Sequence, residues 1–353
     1  IVSLSLVLFG FSVFGAIIGH IAGSIISSVI GLSILLLMLN KYAVNGNGFS
    51  LPQSLKTLMK YGLPLYISVL LTGFLPQYQN VILAIFTSDV DIGNFKAAAN
   101  FMTLITIFSS SIMTVLLPAF SKLENPNKET NMFFEFAHKY TVLLIVPITT
   151  LTILFAKEIV QIIYGSTYQS AAYFLSIYST LYLLVGVGYL TLQSLFNGLG
   201  ETKTTLKISL IAFAVFFLLS PLFTSIYSVP GSIMALIIAN TAGTYYGLHI
   251  ARNNFKIKPN IKSLTKIYLT VAASAIPPLI ITSTHIFSDI FNVAIGGSLF
   301  IFLYLTLTPL TKTINPSEIK SLKDIMQEIR MLNFFTSPVL KYQEKLLGLV
   351  KSF

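Results

Sequence analysis

Apolar runs of about 20 residues recur along the whole chain, each parted from the next by a short polar stretch. In a helix a run of that length crosses the ~30 Å hydrocarbon core of a bilayer. Composition allows nothing else. Of 353 residues 54% are hydrophobic and only 10% charged, whereas a soluble domain carries about 25% charged residues. The fold class is therefore an all-α polytopic membrane protein.

Ten spans are read, at about 1–15, 17–39, 61–86, 94–119, 138–156, 170–195, 207–226, 230–250, 267–285 and 288–310. Lysine and arginine favour the cytoplasmic side of a membrane, and here they alternate with the spans. One side holds three (Lys41, Lys56, Lys60), three (Lys122, Lys128, Lys139), two (Lys203, Lys207), five (Arg252 to Lys266) and seven from Lys312 onward, twenty of the twenty-two. The other side has only Lys96 and Lys157, against Asp89, Asp91, Glu158 and Asp289. A multi-pass protein of the cell membrane with a cytoplasmic C-terminus is expected. The net charge of +10 is then a topology signal, and no nucleic-acid partner is implied.

Several chemistries are excluded. The chain has no cysteine, and His20, His138, His249 and His285 form no ligand spacing, so no metal site and no cofactor are implied. No phosphate-cradling loop or nucleophile elbow is present, so the chain is not read as an enzyme. No acidic residue lies in mid-span, which argues against a proton relay in these helices. The opening IVSLSLVLFG reads as the interior of a helix rather than a signal peptide.

Two stretches echo each other. SVFGAIIGHIAG (12–23) and SVPGSIMALIIANTAG (228–243) each read as a helix–turn–helix at the outer surface, with glycine in the turn and small residues opening the second helix, as in transporters built from repeats. Gly15, Gly19 and Gly23 form a ridge that permits close helix approach. The expected division is 1–40, the last two helices of a first lobe; 41–60, a cytoplasmic linker; 61–252, a complete six-helix lobe; 253–311, an appended helix pair; and 312–353, a cytoplasmic amphipathic tail. In that tail Asn315, Pro316 and Glu318 signal a helix start. Ile319, Leu322, Ile325, Met326, Ile329 and Leu332 then share a face suited to lying on the membrane surface.

The segment LLPAFSKL (116–123), the Gly93, Phe95, Ala98, Phe101 pattern, the LTLQSLFNGLGETKTTLK stretch (190–207), YGSTYQSAAYFLSIYS (164–179) and the SVPGS turn resemble the polysaccharide flippases of the multidrug/oligosaccharidyl-lipid/polysaccharide superfamily. That resemblance implies a two-lobed, fourteen-span fold of which these would be spans five to fourteen. It also implies alternating-access transfer of a polyprenyl-linked oligosaccharide to the outer leaflet. The implied partners are the lipid bilayer, a lipid-linked glycan and a coupling cation that the sequence does not identify. A drug/cation antiporter of the same superfamily would need an intramembrane carboxylate. A membrane glycosyltransferase or polymerase would need a long outer loop bearing catalytic side chains.

Candidate cavity residues follow from polarity at depth. Lys96 lies five residues beyond Asp91 in an apolar helix, beside three alanines that leave room around it, with Asn100 one turn on. It either snorkels outward or pairs with Asp89 or Asp91, or it faces the cavity and meets a diphosphate. Gln77, Gln79 and Asn80 follow Pro76 midway along the third span, and line a cavity or bond neighbouring helices. Tyr178, Tyr182 and Tyr189 form a stripe continued by Gln193 and Asn197, suited to sugar rings or to packing.

Overall fold

A computed structural model of the chain describes residues 2–42, 51–123, 128–284, 288–316, 318–320, 323 and 330–351. The described residues are mostly helical, joined by short turns, and they fall into two compact units, Ile1–Thr57 and Leu58–Phe353. Seven helices are long and apolar enough to cross a membrane, with an eighth if a bent pair counts as one span.

The first unit holds α1 (Val2–Leu6, prolonged by a π-helical turn, Val7–Phe11) and α2 (Ser12–Tyr42). The chain reverses at Ser12, whose φ of 44° and ψ of −133° lie outside any helix. A β-carbon on Gly19 would stand 2.3 Å from the Ser3 backbone, so the bare glycine is what lets α2 close on α1. Gly23, the third member of the glycine ridge, meets nothing within 4 Å.

The second unit starts within α3 (Leu51–Phe86), which begins ten residues ahead of the expected span and runs unbroken through Pro64 and Pro76. It continues with α4 (Asp89–Ser121), α5 (Lys128–Leu154), α6 (Ala156–Tyr164), α7 (Ala171–Ser179), α8 (Thr191–Gly198) and α9 (Thr202–Asn254). Then come α10 (Ile261–Thr284), α11 (Asp289–Leu310) and α12 (Arg330–Lys351).

At 53 residues α9 would be ~80 Å long if straight, far more than a bilayer accommodates. It is instead a hairpin. Ser228 has φ 56° and ψ −139°, and residues of the two legs meet, Gly231 against Phe223 beside the turn and Gly243 against Ile208 farther along. Ser12 and Ser228 are the corresponding residues of the two echoing stretches, and they take nearly the same rare conformation. Three residues after each stands a glycine, Gly15 or Gly231, pressed against the preceding leg. The echo is thus one of backbone geometry as well as of letters.

The sixth span departs from the expected continuous helix. It is α7, then a 3₁₀ segment over Thr180–Val187, a left-handed Gly188 at φ 102°, and α8, with a bend of 48°. Backbone groups freed at such a break need partners inside a membrane, and two neighbours supply them. The Tyr268 hydroxyl of α10 donates to the Leu183 carbonyl at 2.5 Å and accepts from the Gly186 N–H at 3.1 Å. On α5, His138 reaches the Gly186 carbonyl through Nε2 at 3.2 Å and the Thr191 hydroxyl through Nδ1 at 2.8 Å. A carbonyl only accepts, so Nε2 bears the proton, and in the neutral ring Nδ1 accepts from Thr191.

The tail is seated more firmly than a surface helix. Glu318 accepts from the Asn315 N–H at 2.8 Å, one half of the expected reciprocal cap, while the Glu318 N–H donates to the Asn315 backbone carbonyl at 3.1 Å. Ile319, however, is buried in a core cluster with Val142, Ile267 and Phe300 and does not lie on lipid. Leu322, Ile325, Met326 and Ile329 lie outside the described residues, as does the Leu332 side chain. Farther on, α12 docks on α11: the Tyr342 hydroxyl bonds Thr306 at 2.9 Å, and the Gln343 amide donates to the Thr308 hydroxyl at 3.2 Å.

Candidate functional site

The α3–α4 hairpin turns at Thr87 and Ser88, and Ser88 caps α4. Its Oγ accepts from the Asp91 N–H at 3.2 Å and donates to the Asp91 carboxylate at 2.9 Å. Neither Asp91 nor Asp89 forms an ion pair with Lys96. Lys96 Nζ instead donates to Asn80 Oδ1 at 2.6 Å. The two residues stand at nearly the same level, seven before Thr87 and eight after Ser88, so the hairpin's own register brings them together. One turn on, the Asn100 amide donates to the Tyr164 hydroxyl of α6 at 3.3 Å. The ammonium keeps two further N–H donors, and Lys96 and Asn100 are both exposed within the unit.

The alanines beside Lys96 do not make its space. Ala97 and Ala98 are buried with Leu83, Phe101 and Phe174, because residues one and two along a helix point ~100° and ~200° away. What continues the Lys96 face is polar. Residues at +4, +7, +14 and +18 fall within about 40° of it on a helix of ~100° per residue. They are Asn100, Thr103, Ser110 and Thr114, all exposed, with Ile107 interposed. From Lys96 to Thr114 the stripe rises ~27 Å, close to the thickness of a bilayer core. The Ser110 and Thr114 hydroxyls donate back to their own helix, at 3.0 and 2.8 Å, and keep lone pairs free to accept. Thr103, Ser110 and Thr114 were missed from sequence, although the 3.6-residue period through Lys96 carries the signal.

The other candidates divide. Gln79 is buried and its amide donates to Ser232 of the second α9 leg at 3.1 Å, so it ties helices together. Gln77 is exposed on the opposite side of α3 from Gln79. The tyrosine stripe packs on the core face of α4: Tyr178 stacks on Phe95 with centroids 5.9 Å apart, and Tyr182 shares a 2.9 Å bond with Thr106. Tyr189 meets the Tyr182 ring edge-on at 6.2 Å. Asn197 lies at the far end, where its Oδ1 accepts from Thr205 at 2.7 Å, and Gln193 is half-buried one turn before it. The candidates therefore split into the exposed Lys96 and Asn100 with the half-buried Asn80, and an inner tyrosine wall. Among the described residues no group of His, Asp and Glu could hold a metal ion.

An apolar bundle with seven or eight helices long enough to cross a bilayer defines a multi-pass membrane protein, here with an exposed polar stripe along α4. The comparisons agree with that class. Residues 1–173, which include Asn80, Lys96 and Asn100, match the family model described as polysaccharide biosynthesis protein. Among solved structures, the chain is similar to lipid II flippase MurJ in an inward closed conformation. The TM-score is 0.64 at 19% identity, over 88% of this chain and 65% of that one. The likeness is one of fold, and the chain spans 65% of that protein's length. No curated protein matches it.

Proposed function

We propose that the chain is the larger part of a flippase that carries a lipid-linked oligosaccharide precursor from the inner to the outer leaflet by alternating access. One observation carries the reading: the exposed stripe from Lys96 to Thr114, cationic at one end and hydroxyl-rich along its length. A cation within a span costs about 2.5–3.5 kcal/mol at the bilayer centre and less near its edge. A chain that keeps one there, bonded to an amide rather than to a carboxylate, holds a site for an anion. The Lys96 ammonium takes a phosphate oxygen of the diphosphate, Asn80 fixes its position, and the hydroxyls accept from sugar hydroxyls as the head group passes. An antiporter for cationic drugs would present the opposite charge.

In this reading the protein is a transporter and not an enzyme, the bilayer holds the lipid tail, and the C-terminus is cytoplasmic. Lys96→Ala reduces surface glycan at least several-fold at equal membrane abundance, while Lys96→Arg largely retains it and Asn80→Leu falls between. Normal export by Lys96→Ala excludes the site.

A further inference from the structure

Away from the stripe, α5, the start of α10 and the segment after α11 enclose a depression of about 620 Å³. Four lysines line it, Lys139, Lys262, Lys266 and Lys312, against Glu135 and Glu318. Lys139 is committed to Glu318, at 2.7 and 2.8 Å. Glu135 accepts from Asn131 at 2.8 Å. The ammonium groups of Lys262, Lys266 and Lys312 have no partner among the described residues. A second hollow beside it shares Glu135 and adds Arg252, Lys256 and Lys258.

The preference of basic residues for one membrane side explains which loops carry them. It does not explain their convergence on one concavity, nor the backbone there. Lys312 and Lys256 follow helix ends with φ of 53° and 57°, left-handed values at which a side chain costs about 1–2 kcal/mol over glycine. A cation near a helix C-terminus is favourable anywhere in the last turn, so that strain is not needed for capping. Each lysine lines one of the two hollows. Met132 and Phe136, both exposed, stand on the wall of the larger one, giving a charged floor with an apolar side.

We infer that the depression between α5, α10 and the post-α11 turn is a binding site for a phosphate or diphosphate ester, held by Lys262, Lys266 and Lys312. Charge of one sign converging on a concavity focuses the field and concentrates anions better than the same charge spread on a flat surface. The source of the phosphate is either a lipid headgroup at the membrane surface or a soluble phosphate. The site is separate from the Lys96 stripe. It rests on the proposed orientation only for the leaflet it meets, so binding in detergent tests it independently of transport and topology.

The test is thermal unfolding of the intact protein in neutral detergent. The four additions are phosphatidylglycerol, phosphatidylcholine, sodium pyrophosphate, and sodium chloride at the ionic strength of the pyrophosphate. Phosphatidylglycerol or pyrophosphate, well above its dissociation constant, raises the midpoint by about 3 °C or more over its control. A shift with the lipid alone identifies a headgroup site, and one with pyrophosphate alone a soluble ligand; either supports the inference. The Lys262→Gln/Lys266→Gln/Lys312→Gln variant keeps its unliganded midpoint and loses the shift, whereas Lys203→Gln/Lys207→Gln, outside the hollow, retains it. No shift with either phosphate, or equal loss in both variants, overturns the site.

Discussion

His138 shows how much a single residue carries that no spacing rule marks. Its two ring nitrogens hold Gly186 and Thr191 on either side of the break in the sixth span, and its ring stacks on Phe134 at 5.4 Å. Replacing it with alanine strands a carbonyl and a hydroxyl in a region where only 1% of the histidine itself is exposed. Each buried polar group left without a partner costs about 1–3 kcal/mol. His138→Ala should therefore lower the thermal midpoint in detergent by several degrees, and His138→Gln, which can still donate to Gly186, should recover part of it. A midpoint unchanged by the alanine would show that water or a neighbour satisfies the break. Lys96 is the opposite case: its type and depth are visible in the sequence, yet its partner lies sixteen residues back on the other leg of a hairpin.

At the scale of the element, the two hairpins do what glycine and a left-handed serine allow. Gly231 sits where a β-carbon would stand 2.0 Å from the Phe223 carbonyl, closer than atoms can approach. Backbone cannot yield as a side chain end can, so Gly231→Ala must open the α9 hairpin. A loss of about 1–3 kcal/mol or more is expected, the range of overpacking in a closed core. It should appear as a clear fall in the midpoint and in the yield of folded protein. Gly23→Ala, with nothing within 4 Å, serves as the neutral comparison in α2. Should the Gly231 variant melt with the parent, the legs are not held as closely as the geometry requires.

For the whole molecule the governing quantity is charge asymmetry, and the absence of native cysteines makes it measurable. Ser166 lies in the exposed turn between α6 and α7, and Asn254 ends α9 beside the basic hollows. In intact cells a membrane-impermeant maleimide should label Ser166→Cys at once and Asn254→Cys only after permeabilisation. The reverse order would invert the proposed topology and place the basic hollows outside.

Mean hydropathy of +0.81, the length of the apolar runs and the sidedness of the lysines made the membrane class legible without coordinates, because transfer into lipid depends on composition summed over a run. The turn residues Ser12 and Ser228 were legible for a like reason, since glycine and small residues mark where backbones must cross closely. Partner choice was not. Whether Gln79 lines a path or ties two helices, whether the tyrosines face sugar or Phe95, and which groups steady the bend at Gly186 depend on side chains from different helices meeting. Those meetings are fixed by packing between segments tens of residues apart, a property that no window along the chain contains.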